Sequence, residues 1–136
     1  MTTVWDERRE VYHAVLEFAF THPVRWAEGK DKRAEVFARE NLRQIDLGII
    51  TGKTKSICEF DRAHGNCVVI CPTVGAAEHL RAKGCRAFSV EELTKLTKEK
   101  FRVMEPMLIF DDVGLRQTLE VVAKFKPTRF VHVGCQ

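Results

Sequence analysis

Two short stretches of this sequence place charged groups where phosphate chemistry would use them. Gly48-Ile49-Ile50-Thr51-Gly52-Lys53-Thr54 carries an apolar run into a Gly-Lys-Thr turn. In such a turn the glycines let backbone N–H groups face an anion, the lysine offsets its charge, and the threonine hydroxyl reaches a magnesium ion. The residues that follow read as a helix, whose N-terminus would point at the same anion. Met107-Leu108-Ile109-Phe110 is a second apolar run, and it ends in Asp111-Asp112. A carboxylate at the end of a buried strand is suited to holding a metal ion, and a second beside it to activating water. Arg116 and Arg129 are the arginines nearest these ends in sequence. Either could stabilise charge on a transferred phosphoryl group, although an arginine on a helix face or strand start is ordinarily just solvated.

These pieces need helices and strands to bring them together. Val11, Val15 and Phe18, with Ala14 and Ala19, give a helical period over Thr3 to Thr21, and His22-Pro23 stops it. Asp31 opens a second helix with Ala34, Phe37, Ala38, Leu42 and Ile45 on one face. Leu47 to Ile50 is a short apolar run before the Gly-Lys-Thr turn, and a helical segment runs on to Ala63. Cys67 to Cys71 reads as a strand buried on both faces. A helix over Gly75 to Lys83 follows, with Gly84 at its C-terminal cap, and then a brief strand at Arg86 to Phe88. Ser89 with Glu92 is a capping box for a helix to about Glu99. After the strand at 107–110, Leu115, Leu119, Val122 and Ala123 line a last helix, and Arg129 to Val133 a last strand. The alternation predicts an α/β domain with a doubly wound, mostly parallel sheet of four to five strands and two N-terminal helices. Residues 1–136 make one domain, with 1–45 as a helical appendage and 46–136 as the core. Ligands of such sheets bind beyond the carboxyl ends of the strands, where both charged stretches fall.

On GIITGKT at 48–54 and MLIFDD at 107–112 the sequence resembles the P-loop NTPase family. It is also similar to small phage-type NTPases and helicase-like ATPases, in which the strand after the P-loop helix ends in Pro-Thr, as Cys71-Pro72-Thr73 does here. The resemblance covers about Ile45 to Val133. It implies a P-loop-like fold and a nucleotide held by Gly48, Gly52, Lys53 and Thr54. It also implies Mg²⁺ with ATP or GTP, the metal on Thr54 and Asp111, with Lys53 and Asp112 as the catalytic pair. A virus-encoded accessory protein is conceivable by the same analogy. The family spacing G-x-x-x-x-G-K-[ST] would place its first glycine at Leu47, whereas Gly48 stands one position later. The shortened loop offers fewer N–H groups to a phosphate, so weak or no ATP or GTP hydrolysis is expected. As an exposed loop lysine, Lys53 is expected to contribute little to the core.

A second function class is a degenerate P-loop domain without turnover that acts as a protein- or nucleic-acid-binding module. Its candidate surface is Trp26 with Lys30, Lys32 and Arg33. Net charge is +3, from 22 basic and 19 acidic residues, too small an excess to argue for nucleic acid by itself. Hydrophobic residues at 45% and charged residues at 30% exclude a disordered tail or a fibre. No run approaches the ~18 apolar residues of a membrane span, so no membrane partner is expected. Five cysteines at irregular spacing suit reduced thiols and a cytoplasmic location. Cys67 and Cys71 share a strand face but lie roughly 13 Å apart along it, too far to share a metal, and no zinc is expected. His132, between Val131 and Val133, reads as packed against a helix.

Overall fold

A computed structural model of the chain describes residues 4–26, 34–46, 53–95 and 105–134. Two helices come first, α1 (Val4–Thr21) and α2 (Ala34–Asn41). Then follow β1 (Arg43–Ile45), α3 (Lys53–His64), β2 (Cys67–Cys71), α4 (Val74–Ala82), β3 (Ala87–Ser89) and α5 (Val90–Thr94). The described chain closes with β4 (Met107–Asp111), α6 (Leu115–Phe125) and β5 (Phe130–Val133).

The five strands form one sheet in the order β1-β5-β4-β2-β3, and every pair is parallel. All residues of β2, β4 and β5 are buried, which explains their unbroken apolar runs: a strand covered on both faces has no polar side to alternate with. One face is packed by Tyr12, Leu16 and Ala19 of α1, Ile57 and Phe60 of α3, and Leu80 of α4. The other is packed by Ala38 of α2, Leu93 of α5, and Leu119, Val122 and Phe125 of α6. The path from β1 through β2 to β3 moves outward with α3 and α4 on the first face. The return through β4 to β5 has α5 and α6 on the second. Right-handed crossovers require this reversal of face with reversal of direction. The chain is therefore the doubly wound parallel α/β fold that its alternation predicts.

The N-terminal helices divide between the two faces. α1 lies against α3, β1 and β5, and α2 lies against α6. The helix expected to reach Ile45 ends instead at Asn41, and Arg43–Ile45 pairs with Val131 to Val133 as an edge strand. Three residues are too few to show a period of two, and Ile45 also fits the helical stripe of Ala38 and Leu42. The sheet thus begins upstream of residue 46. The run Leu47 to Ile50 lies outside the described residues. The Ser89–Glu92 capping box is formed in both directions and opens α5. Gly84, at φ +88, follows the end of α4 as the cap glycine should. Among the described residues, no helix is long and apolar enough to cross a membrane.

Candidate functional site

Strand parity aims the first carboxylate. On β4, Met107 and Ile109 face the α1/α3 side, whereas Leu108 and Phe110 face α6. Asp111 continues the first set, and so points toward the helix that Lys53 opens. The Lys53 ammonium lies 3.3 Å from Asp111 Oδ1 and in direct contact with Asp112 Oδ2. Two residues far apart in sequence thus meet at the carboxyl edge of the sheet. Thr54 follows in the first turn of α3, half-buried. Gly48 and Gly52 lie outside the described residues.

β1 and β4 are not neighbours, because β5 lies between them. Lys53 therefore reaches its carboxylates across the end of β5, which Gly134 directly follows. A Cβ on Gly134 would sit 2.3 Å from Asp112 Oδ1 and 2.9 Å from both Asp112 Cα and Asp112 N. Its φ of +145 is likewise a conformation that glycine adopts readily and other residues do not. The strand ends are hydrogen-bonded across this gap. Asp112 N–H donates to Val133 O at 2.9 Å, and Gly134 N–H to Ile45 O at 3.0 Å. Asp112 itself has φ +59, which turns its carboxylate back over the strand ends.

Burial governs the electrostatics. The side chains of Lys53 and Asp111 are 12% and 11% exposed, and that of Asp112 is 45% exposed. The expectation of an exposed loop lysine is therefore corrected: Lys53 is largely buried and held from two sides. Burial alone would lower its pKa, but Asp112 and Asp111 together hold it above the ordinary lysine value. Asp111 moves the opposite way from a typical salt-bridged carboxylate. Burial raises its pKa above 3.8, the Lys53 charge opposes that, and the neighbouring Asp112 adds to it. Its Oδ1 is buried and meets the Lys53 ammonium at 3.3 Å, an ion pair beyond the usual range of a strong hydrogen bond. One ammonium between two carboxylates leaves a carboxylate in excess, with a buried oxygen able to accept a further ligand. By charge alone, an anion suits Lys53 and a cation suits the aspartates.

The other candidates lie elsewhere. Arg116 is almost fully exposed on α6, 3.4 Å from Glu120, and lines a groove between α2 and α6 on the face away from α3. Arg129 precedes β5, at the opposite edge of the sheet. Its guanidinium donates to Glu105 O at 3.0 Å and lies 4.6 Å from the centre of the Phe20 ring. Neither arginine is brought to Lys53. Trp26 packs against Phe37 and Phe130, and its indole N–H donates to Pro127 O at 2.7 Å, so this side chain holds α2 and the sheet together. Lys30, Lys32 and Arg33 lie outside the described residues. Cys67 and Cys71 are buried on one strand face, their thiols pushed up to about 12 by burial, which keeps them protonated and poorly nucleophilic. Among the described residues no cluster of three or more metal-ligating side chains of the His, Cys, Asp and Glu types occurs.

Gly134 is the site residue that sequence reasoning missed. A glycine directly after the last buried strand was its only signal, and only the sheet order shows what it must avoid. No protein-family model matches the chain, and no curated protein matches it either.

Proposed function

We propose that this chain is a small nucleotide-binding protein of the P-loop type, with weak or no ATP or GTP hydrolysis. The observation that carries the reading is the Lys53 ammonium held between Asp111 and Asp112 at the carboxyl edge of a parallel sheet. A bound triphosphate would draw Lys53 onto its terminal phosphates, with Thr54 in the first turn of α3 beside them. The same movement would free Asp111 and Asp112. Mg²⁺ fits there by charge and by ligand type, since it favours carboxylate and phosphate oxygens. Asp111, with its buried carboxylate, would hold the ion, and half-exposed Asp112 would orient water. The work on the phosphoryl group would be positioning and charge stabilisation.

Thermal unfolding with and without Mg²⁺-ATP or Mg²⁺-GTP tests the reading. A ligand present at a hundred times its dissociation constant adds about 2.7 kcal/mol, which raises the midpoint of a domain this size by roughly 9 °C. The shift should disappear in Lys53→Ala when that variant is compared with its own ligand-free midpoint. A Lys53→Ala protein that gains the same shift as the wild type would sink the assignment. A wild type with no shift for either nucleotide would point to the interaction module instead.

A further inference from the structure

The turn that carries Asp112 is fixed one residue at a time. Asp112 N–H donates to Val133 O at 2.9 Å, and Gly114 O accepts from Thr118 N–H at 2.9 Å. Between them, Val113 O lies 2.6 Å from Nε2 of His132. A carbonyl can only accept, so Nε2 carries the proton and donates. His132 is 2% exposed and sits beside Phe110 in the sheet, on the face packed by α6. Phe130 and Leu119 pack that face, where an apolar side chain would leave no polar group to satisfy. Val113 is itself fully buried. We propose that His132 is the positioning residue of the site: its imidazole, through the Val113 carbonyl, holds the turn that presents Asp112 to Lys53.

The physical reason lies in the backbone of Asp112. At φ +59 it occupies the left-handed region, which aspartate enters more readily than most residues with a Cβ but still at some cost, so the ties on either side of it decide whether it stays there. Its own N–H is held by Val133 O of β5, and the carbonyl of the following residue, Val113, is held by His132. With the second tie removed, Asp112 can relax to negative φ, which swings the carboxylate off Lys53. Deletion of the imidazole therefore acts on an ion pair that it does not touch. The functional part of this role rests on the reading of Lys53, Asp111 and Asp112 as a phosphate and magnesium site. The geometric part can be measured without any ligand.

The test follows the Lys53 ammonium by ¹H–¹⁵N spectroscopy, its signal identified by its loss in Lys53→Met. A largely buried ammonium between two carboxylates exchanges its protons slowly. Exchange should accelerate about tenfold or more in Asp112→Asn and in His132→Phe, as loss of a buried hydrogen bond implies. His132→Gln, whose amide N–H reaches close to the Nε2 position, should retain the slow signal. Mg²⁺-ATP affinity should follow the same order. A folded His132→Phe protein with the wild-type Lys53 signal would overturn the role. Should His132→Phe not fold, His132→Asn replaces it, since its shorter amide stops short of Val113 O. Equal Lys53 signals in His132→Asn and His132→Gln would then overturn the role. If the Lys53 signal depends on His132 while the wild type binds no Mg²⁺-ATP, the positioning role stands and the nucleotide reading fails.

Discussion

Gly134→Ala is expected to lower the stability of this protein by roughly 3–5 kcal/mol, from strain and overpacking together. The corresponding fall in melting midpoint is roughly 10–17 °C. The new methyl would stand 2.9 Å from Asp112 N and Cα, which are backbone atoms and cannot rotate away. It would also stand 2.3 Å from Asp112 Oδ1, which must move. At φ +145 the alanine is strained whatever space is made for it. Relief requires the ends of β4 and β5 to separate, and this breaks the bond from Asp112 N–H to Val133 O. The Lys53–Asp112 contact should be lost with it, so the substitution damages fold and site together. Calorimetry on the purified variant checks this. A midpoint within about 2 °C of the wild type would show that the strand ends are not in the close contact described.

Replacing Lys53 with methionine is expected to destabilise the protein at neutral pH by about 2–3 kcal/mol, because the variant keeps a buried carboxylate without its cation. That corresponds to roughly 7–10 °C. The pH dependence gives the sign. Asp111 already has a folded-state pKa above its ordinary 3.8, from burial. Such a group favours the folded state while protonated, and that contribution is lost as pH rises through the folded pKa. Removing Lys53 takes away the main influence holding this pKa down, so the window widens upward from 3.8. Wild type and Lys53→Met should therefore converge in stability as pH falls toward 4 and diverge as it rises to 7. Asp111→Asn should do the reverse at neutral pH, equalling or exceeding the wild type while losing Mg²⁺-nucleotide binding. Urea unfolding of the three proteins between pH 4 and 8 decides the matter, and parallel stability curves would contradict this electrostatic account. Stability sacrificed at a buried carboxylate is a common feature of working sites.

Much of the scaffold was legible because its strands are buried on both faces. Cys67 to Cys71 and Met107 to Phe110 are apolar runs too short for a helix and bounded by Gly65, Pro72 and Pro106, and Ser89 with Glu92 marks a helix start by its own hydrogen bonds. β1 was not legible, since its three residues carry a single buried side chain and the neighbouring helical stripe absorbs it. Arg129 shows the limit of proximity in sequence. It precedes a strand that runs toward the site, and so it stands at the far edge from Lys53. Trp26, a candidate for a partner surface on sequence alone, is committed to Phe37, Phe130 and Pro127.

The sequence by itself determined the parallel α/β class and the two charged stretches, because hydrophobic period and capping chemistry are local. It also placed the Asp111-Asp112 stretch at the carboxyl end of a strand, where such sheets hold their ligands. Only the tertiary structure decided that Lys53 meets Asp111 and Asp112, since that depends on β5 being inserted between β1 and β4. The same insertion makes Gly134 indispensable and gives His132 a carbonyl to hold. Strand order is set by which faces the helices can cover, a sum over the whole chain that no short window of residues contains.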